Sequence, residues 1–553
     1  MLTSTNKRKR IAQACKQCGN RKVKCDGVTP GCSRCVADGV ECFYPVSKRN
    51  RWISNPAVRA TPSNPSAPSS EAPSSAPANL SASLPASEIS SNLRGQLFRT
   101  YFRCIHPIWP VLYKPLYDTL NHTELMEVLP IPLINAIFSI AFPLLDPDSD
   151  GTHSTNDQAH HFFLEALRLL KEHGVPQRSQ SIFAMKPTII HCQVLTILAL
   201  QQHGIAAFSQ AGTLCAVAVS MAIDLQLHIK SVTDTFIEAQ TKSRVWWTVY
   251  VLEKMLSCEM SRPTLLRFEE SDTPFPSVEE SDEYEFFSEV SQTNNGKPRS
   301  LKLRTISAFH TSIQIAMLME KVSRQIYSIG ARTKIREDRI FGEETRLRIW
   351  AQLKDYEQAL ESSPLKLDIS GQGPVLPVTV TNYVYLWLTT ILLHRPFIEH
   401  WQQDRGSDEL SLVHEDPYRI CCVAADHICS TLQKHSELIK SLPCDLVFPI
   451  FVAGNVLLRR WRQSRRQDIS IQQSLEMCVR WLNALGKSWK SAKARRQVLA
   501  ESMETITPPN EQERSLPSWQ ALNLAIEGWV SEEDFALDYM QWISGVDVPS
   551  FLE

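Results

Sequence analysis

Six of the fifteen cysteines in this 553-residue chain lie between positions 15 and 42, in two identical half-motifs: Cys15-x2-Cys18-x6-Cys25 and Cys32-x2-Cys35-x6-Cys42. No other feature restricts the local fold as strongly. So short a segment cannot build an apolar core, so something else must hold it together. Disulfides would require an oxidising compartment. The N-terminus "MLTSTNKRKRIAQ" carries no apolar stretch of a secretory signal, so the expected compartment is reducing. Six exposed free thiols would be an oxidation hazard. Thiolates at x2 spacing are the arrangement that binds zinc. A structural zinc takes four ligands. One zinc leaves two thiols over. Two zincs need eight ligand positions, which six cysteines fill only if two of them bridge both metals. Symmetry asks for one bridge from each half, and we assign these to Cys15 and Cys32. Two zinc ions held by Cys15, Cys18, Cys25, Cys32, Cys35 and Cys42 form a closed, structural site with no open position for a substrate.

Charge points to the partner. The formal net charge is −1, yet residues 1–51 carry twelve Lys or Arg against three Asp or Glu. A basic end on an acidic body suits a polyanion at that end. Cys15 and Cys18 share one face of a helical turn. A helix continuing through "GNRKVK" projects Arg21, Lys22 and Lys24 outward. With "KRKR" before and "KRNR" after, this exceeds what solubility needs. Basic side chains neutralise phosphates and release counterions, and Arg or Lys donates to guanine O6 and N7 in the major groove.

The six cysteines, the run "RKVKC" before the third, Asp26 after it and Pro30 two residues before the fourth resemble the fungal binuclear zinc cluster, Zn2Cys6, of transcription regulators. In that family the first and fourth cysteines bridge the metals, in agreement with the symmetry argument. The resemblance implies two short helices around the cluster and binding to double-stranded DNA. It puts Arg21 and Lys22 at the base-reading positions of the first helix, for a CGG-like triplet. Lys24, Lys16 and Arg34 would mainly contact phosphate, which positions without specifying sequence. Gly19 stands where the family usually has Arg; this removes a phosphate contact and weakens the helix by ~1 kcal/mol relative to Ala. Lys7, Arg8, Lys9 and Arg10 read as a nuclear import signal, which gives a nuclear location.

Residues 54–91 are 27 of 38 Pro, Ser or Ala, a composition that cannot bury a core. The expected organisation is a zinc module over 11–46, a disordered linker over 52–91, and a large all-α domain over 92–505. No sustained heptads lie between 43 and 92, so a homodimer would not form through an evident coiled coil. In the large domain Phe163, Leu167 and Leu170 fall at helical spacing, as do Val245, Val249, Leu252 and Leu256. "HCQVLTILALQQHG" and "LCAVAVSMAIDLQLH" are apolar on more than one face, as buried helices are. No stretch reaches the ~18 apolar residues needed to span a bilayer, so no membrane partner is expected. The segments "YFRCIHPIWPVLYKPLY", "CQVLTILALQQHG", "SRVWWTVYVLEKMLSCEMSRP", "DTPFP" and "LLHRPF" occur in an order similar to the fungal transcription factor regulatory domain that often accompanies the zinc cluster.

No catalytic constellation stands out. "HEDPY" begins like a zincin, but Tyr418 replaces the second His and Pro417 would break the helix. His161 and Glu165 are four apart, a spacing that also arises by chance. Cys421 and Cys422 point to different faces, and the nine remaining cysteines read as core residues. "RRWRQSRR" (459–466) reads as a solvated helix face. Residues 269–289, nine acidic and none basic, read as an exposed loop. Residues 515–553 hold seven acidic and no basic residues around Trp519, Trp529, Phe535, Tyr539, Trp542 and Phe551. They are expected either to bind coactivators or other transcription machinery, or to pack on the large domain. The expected function is a non-enzymatic, zinc-dependent, sequence-specific regulator of RNA polymerase II genes. By resemblance its targets belong to a metabolic or secondary-metabolite gene cluster. The alternative is a zinc-module interaction protein that binds RNA or protein.

Overall fold

The computed structural model describes residues 17–18, 21, 23–26, 32–38, 40, 89–145, 155–174, 185–288, 300–367, 375–398, 416–436, 438 and 444–504. The chain divides into two compact units at residue 80. Among its described residues the first holds the short helix α1 (Ser33–Ala37), helical backbone at Gln17 and Cys18, and a small core of Cys18, Cys25, Cys32 and Cys35 with Val23 against it. Linker residues 52–88, the import run and the acidic-aromatic tail lie outside the described residues. The last three linker positions are part of the helical unit, with Ile89 buried and Ser90 capping the helix that opens at Ser91.

The second unit is built of helices. They are α2 (Ser91–Thr100), α3 (His122–Val128), α4 (Ile131–Ala141), α5 (Thr155–Gly174), α6 (Ile189–Gly204), α7 (Phe208–Asp224), α8 (Phe236–Glu259) and α9 (Ser281–Tyr284). After a two-stranded antiparallel ribbon, β1 (Phe286–Ser288) against β2 (Ser300–Lys302), come α10 (Thr305–Val322), α11 (Ile329–Glu337), α12 (Arg339–Glu361), α13 (Pro377–His394), α14 (Pro417–Lys434), α15 (Val447–Gln463), α16 (Ile469–Leu485) and α17 (Lys490–Glu504). Chain neighbours pair: α4 with α5, α6 with α7, α7 with α8, and α14 through α17 in succession. Longer-range packing of α4 on α6, α8 on α10, α10 on α13 and α17 on α6 closes one continuous core. The helix starts are written locally. Asn121 with Glu124, and Thr235 with Glu238, form capping boxes, satisfying N–H groups that the first turn leaves open. The predicted stripes Phe163/Leu167/Leu170 and Val245/Val249/Leu252/Leu256 are all buried.

Three expectations are corrected. Pro417 does not break a helix but opens α14, with Asp416 accepting the Tyr418 N–H; a proline at the first helical position loses no hydrogen bond. α7 is buried on one face only, with Ser220, Ile223 and Asp224 exposed, whereas α6 is buried on all sides from His191 to Gly204. The acidic run 269–289 is not simply an exposed loop, because Asp282 and Glu283 are buried. Glu283 Oε2 accepts the N–H groups of Ile306 and Ser307 at 3.0 and 2.9 Å. It thereby caps α10, whose own N-cap residue, Arg304, has φ 48 and caps nothing. A carboxylate at a helix N-terminus also meets the positive end of the helix dipole.

Candidate metal centre and nucleic-acid interface

The two cysteine half-motifs are offset by 17 positions, and the backbone repeats with them. The Val23 N–H donates to the Cys18 carbonyl at 3.1 Å, and the Val40 N–H to the Cys35 carbonyl at 2.9 Å. The Arg21 N–H donates to the Gln17 carbonyl at 3.1 Å, and the Asp38 N–H to the Arg34 carbonyl at 3.0 Å. Each pair of bonds is one bond seen twice, so the halves share a conformation as well as a spacing.

The thiols converge. Cys18 Sγ lies 3.6 Å from Cys32 Sγ and 4.0 Å from Cys35 Sγ. Four sulfurs at ~2.3 Å from a tetrahedral zinc would be about 3.8 Å apart, so this spacing fits the metal. Two groups of potential ligands form, Cys18/Cys32/Cys35 and Cys25/Asp26/Cys32. Cys32 belongs to both. It also caps α1, where its Sγ accepts the Cys35 N–H at 3.4 Å, a bond that favours a thiolate. Asp26 accepts the Ser33 N–H at 3.1 and 3.3 Å, tying the end of the first half to the start of α1. Cys15, Cys42, Lys16 and Lys22 lie outside the described residues.

Arg21, Lys24 and Arg34 are exposed. Arg21 Nη1 donates to Asp38 Oδ2 at 3.0 Å, with each side chain about half exposed. Arg21 and Asp38 occupy equivalent places in the repeat, so the internal symmetry brings them together. Sequence reading missed Asp38 as a partner, although the 17-residue offset pairs it with Arg21.

The fungal Zn(2)-Cys(6) binuclear cluster domain matches residues 13–51, and the fungal specific transcription factor domain matches residues 99–361. The chain belongs to the fungal zinc-cluster transcription regulators. Zinc binding comes with that cluster domain, and the sulfur spacing agrees with it. Similar proteins are the uncharacterized transcriptional regulatory proteins PB1A11.04c and C3C7.04 of Schizosaccharomyces pombe. Each is 24% identical, over 46% and 55% of this chain and 39% and 36% of the relative. The chain thus matches little more than a third of the length of these relatives. The cercosporin biosynthesis regulatory protein CTB8 of Cercospora nicotianae is 39% identical over 68 residues, covering 12% of this chain and 17% of that protein.

In the helical body of this regulator, the residues with superficially catalytic spacing have structural partners. Glu165 is held by Arg168 at 2.6 and 2.8 Å, and this hydrogen bond pulls its carboxyl below the usual range. Cys421 and Cys422 are both buried, and burial pushes the Cys192 thiol up to about 12, the behaviour of inert core cysteine. In the arginine-rich turn, Arg460 pairs with Asp426 at 2.9 Å and Arg462 donates to the Ser502 carbonyl at 2.7 Å. The face is half solvated and half tied down. Among the described residues no helix is long and apolar enough to cross a membrane.

Proposed function

We propose that the chain is a nuclear, zinc-dependent, sequence-specific duplex-DNA-binding regulator of RNA polymerase II genes. The observation that carries this is the repeated backbone around a shared Cys32, which presents Arg21, Lys24 and Arg34 from a module too small for any other core. Cys15, Cys18, Cys25, Cys32, Cys35 and Cys42 would hold two zincs, which would give the module the closed structural centre that its missing apolar core cannot supply. Arg21 and Lys22 read a CGG-like triplet, while Lys16, Lys24 and Arg34 hold phosphate. Arg21 reaches a base by exchanging Asp38 for it. An exposed pair of this kind is worth only ~0–1 kcal/mol, against ~1–3 kcal/mol for a bidentate base contact, so the exchange is favourable. Lys7 to Arg10 direct nuclear import, and the 515–553 tail contacts the transcription machinery. Family membership and the similarity to the cercosporin biosynthesis regulator of Cercospora support a metabolic or secondary-metabolite gene cluster as the target.

Selection of bound duplexes from random DNA by the full chain tests the reading. Enrichment of a CGG-like triplet is expected. Lys24→Ala should weaken binding to all duplexes alike and flatten the salt slope by about one unit. Lys22→Ala should instead relax discrimination. Equal affinity for RNA and for random duplex overturns the proposal. Elemental analysis should find two zincs per chain, and Cys32→Ala should lose both.

A further inference from the structure

A groove of about 860 Å3 opens along the first helix of the large unit. One wall is a single stripe of α2 and the π-helical turn Tyr101–Ile105 that follows it: Asn92, Gly95, Phe98, Arg99, Phe102 and Arg103. Their spacing of three and four residues puts them on one face. The opposite wall comes from Lys114, Leu120, His122 and Leu125, and the end from Glu285 and Phe286. Phe98 and Leu125 are buried at the bottom, giving an apolar floor. Gly95 keeps that floor low. A Cβ there would meet His122 first, at 3.5 Å, and the His122 ring is held by Ser91 Oγ at 2.7 Å.

The charges are arranged unevenly. At one end Lys114 is paired with Glu285, and Asp118 lies 3.8 Å away. Along the rim Arg99 and Arg103, four residues apart, are exposed. Among the described residues neither is ion-paired with a carboxylate. Three cationic groups against two acidic ones disfavour a cationic guest, and Glu285 and Asp118 keep an anion away from the Lys114 end. Two guanidiniums one helical turn apart offer the planar, forked donors that match a carboxylate. The volume is that of a small-molecule site, roughly 300–1,000 Å3. One net positive charge suits a singly charged guest better than an acidic peptide.

We propose that this groove binds a small organic acid, its carboxylate on Arg99 and Arg103 and its aromatic or extended aliphatic body against Phe98, Phe102 and Leu125. The helical body then has a receptor function in addition to its place in a DNA-binding regulator, and the two are tested separately.

Calorimetric titration of the full-length, zinc-loaded protein with 2-naphthoate and decanoate, beside 2-naphthamide and decanamide, tests it. The acids should bind about tenfold more tightly than the amides, the worth of one charge-assisted hydrogen bond. Arg99→Ala with Arg103→Ala should bring the acids down to the level of the amides. Gly95→Ala should leave the helical circular dichroism and the unfolding midpoint intact, because a helical Gly gains propensity on substitution and the added Cβ meets His122 at ordinary van der Waals distance. Gly95→Leu, checked for folding by the same two measurements, should abolish binding of both acids and amides. Amides that bind as tightly as acids, acid binding that survives Gly95→Leu, or no acid binding at millimolar concentration overturns the proposal. Occupancy only by a synthetic 515–553 peptide also overturns it, in favour of an intramolecular site.

Discussion

Replacing Asp282 should destabilise the helical body more than almost any other polar substitution. The side chain has no solvent exposure, and neither does its partner Arg244. Arg244 Nη1 and Nη2 donate to the two carboxylate oxygens at 2.5 and 3.0 Å. Arg244 Nη1 also donates to the Leu112 carbonyl at 3.2 Å, and the guanidinium lies over the Tyr113 ring. His106 Nε2 stands 3.5 Å from Asp282 Oδ2. The group therefore ties the segment after α2 to α8 and α9. Burial by itself would raise the Asp282 carboxyl. The hydrogen bonds from His106 and Arg244, together with the Arg244 charge, outweigh that and hold it well below the usual carboxylate range. Asp282→Asn keeps the shape but leaves the Arg244 charge buried without its counter-ion, which costs about 3–5 kcal/mol. Asp282→Leu with Arg244→Met removes both charges and should recover most of that loss. Urea unfolding followed by tryptophan fluorescence reads both. The sign with pH follows from the depressed carboxyl. Its contribution is complete above the unfolded value of about 3.9 and is lost as pH falls below it. The gap between wild type and Asp282→Asn should thus be full at pH 7 and close in acid. A single-variant cost below about 1 kcal/mol, or a double variant as unstable as the sum of its parts, would refute the reasoning.

Burial pushes the Asp445 carboxyl up to about 6, so ionising it costs stability as pH rises from about 4 to 6. Asp445→Asn keeps an acceptor for Trp109 Nε1, now 3.0 Å from Oδ2. It should stabilise the protein at pH 7 by at most about 3 kcal/mol and not at pH 4; equal effects at both would contradict this. Gly204→Ala would set a methyl 2.4 Å from Trp489 Cε3, and Trp489 is fully buried. Such overpacking should cost about 1–3 kcal/mol in thermal unfolding, and an unchanged midpoint would show that α6 and Trp489 separate freely. Asp38→Ala releases Arg21 and removes an acid from the basic face, so affinity for any duplex should rise up to about fivefold at low salt. A fall in mobility-shift affinity would mean that the pair orients Arg21 productively.

Much of this was legible in the sequence because it is local. The six-cysteine repeat states a metal-built module by spacing alone, and the sulfur distances agree with it. The Phe163 and Val245 stripes follow helical periodicity, which needs only near neighbours, and both are buried. What the sequence did not reveal depends on partners far away along the chain. Asp282 and Glu283 sit in a run whose composition reads as solvated. Yet Arg244 lies 38 positions before Asp282 and the α10 N-terminus 23 positions after Glu283. Glu259 is bound by His203 and by Arg495, 56 and 236 positions away. A charge is tolerable inside only when its counter-charge arrives there too, and nothing in local composition states that it will. The groove beside Phe98 and Arg99 has the same origin. The α2 stripe is apolar and basic in any reading, but only the packing of α3 and the ribbon opposite it leaves a cavity there. Spacing and periodicity thus determined the zinc module and the helices by themselves. Tertiary packing alone decided which charges are buried and where a guest could enter, because both depend on groups that meet only once the chain has folded.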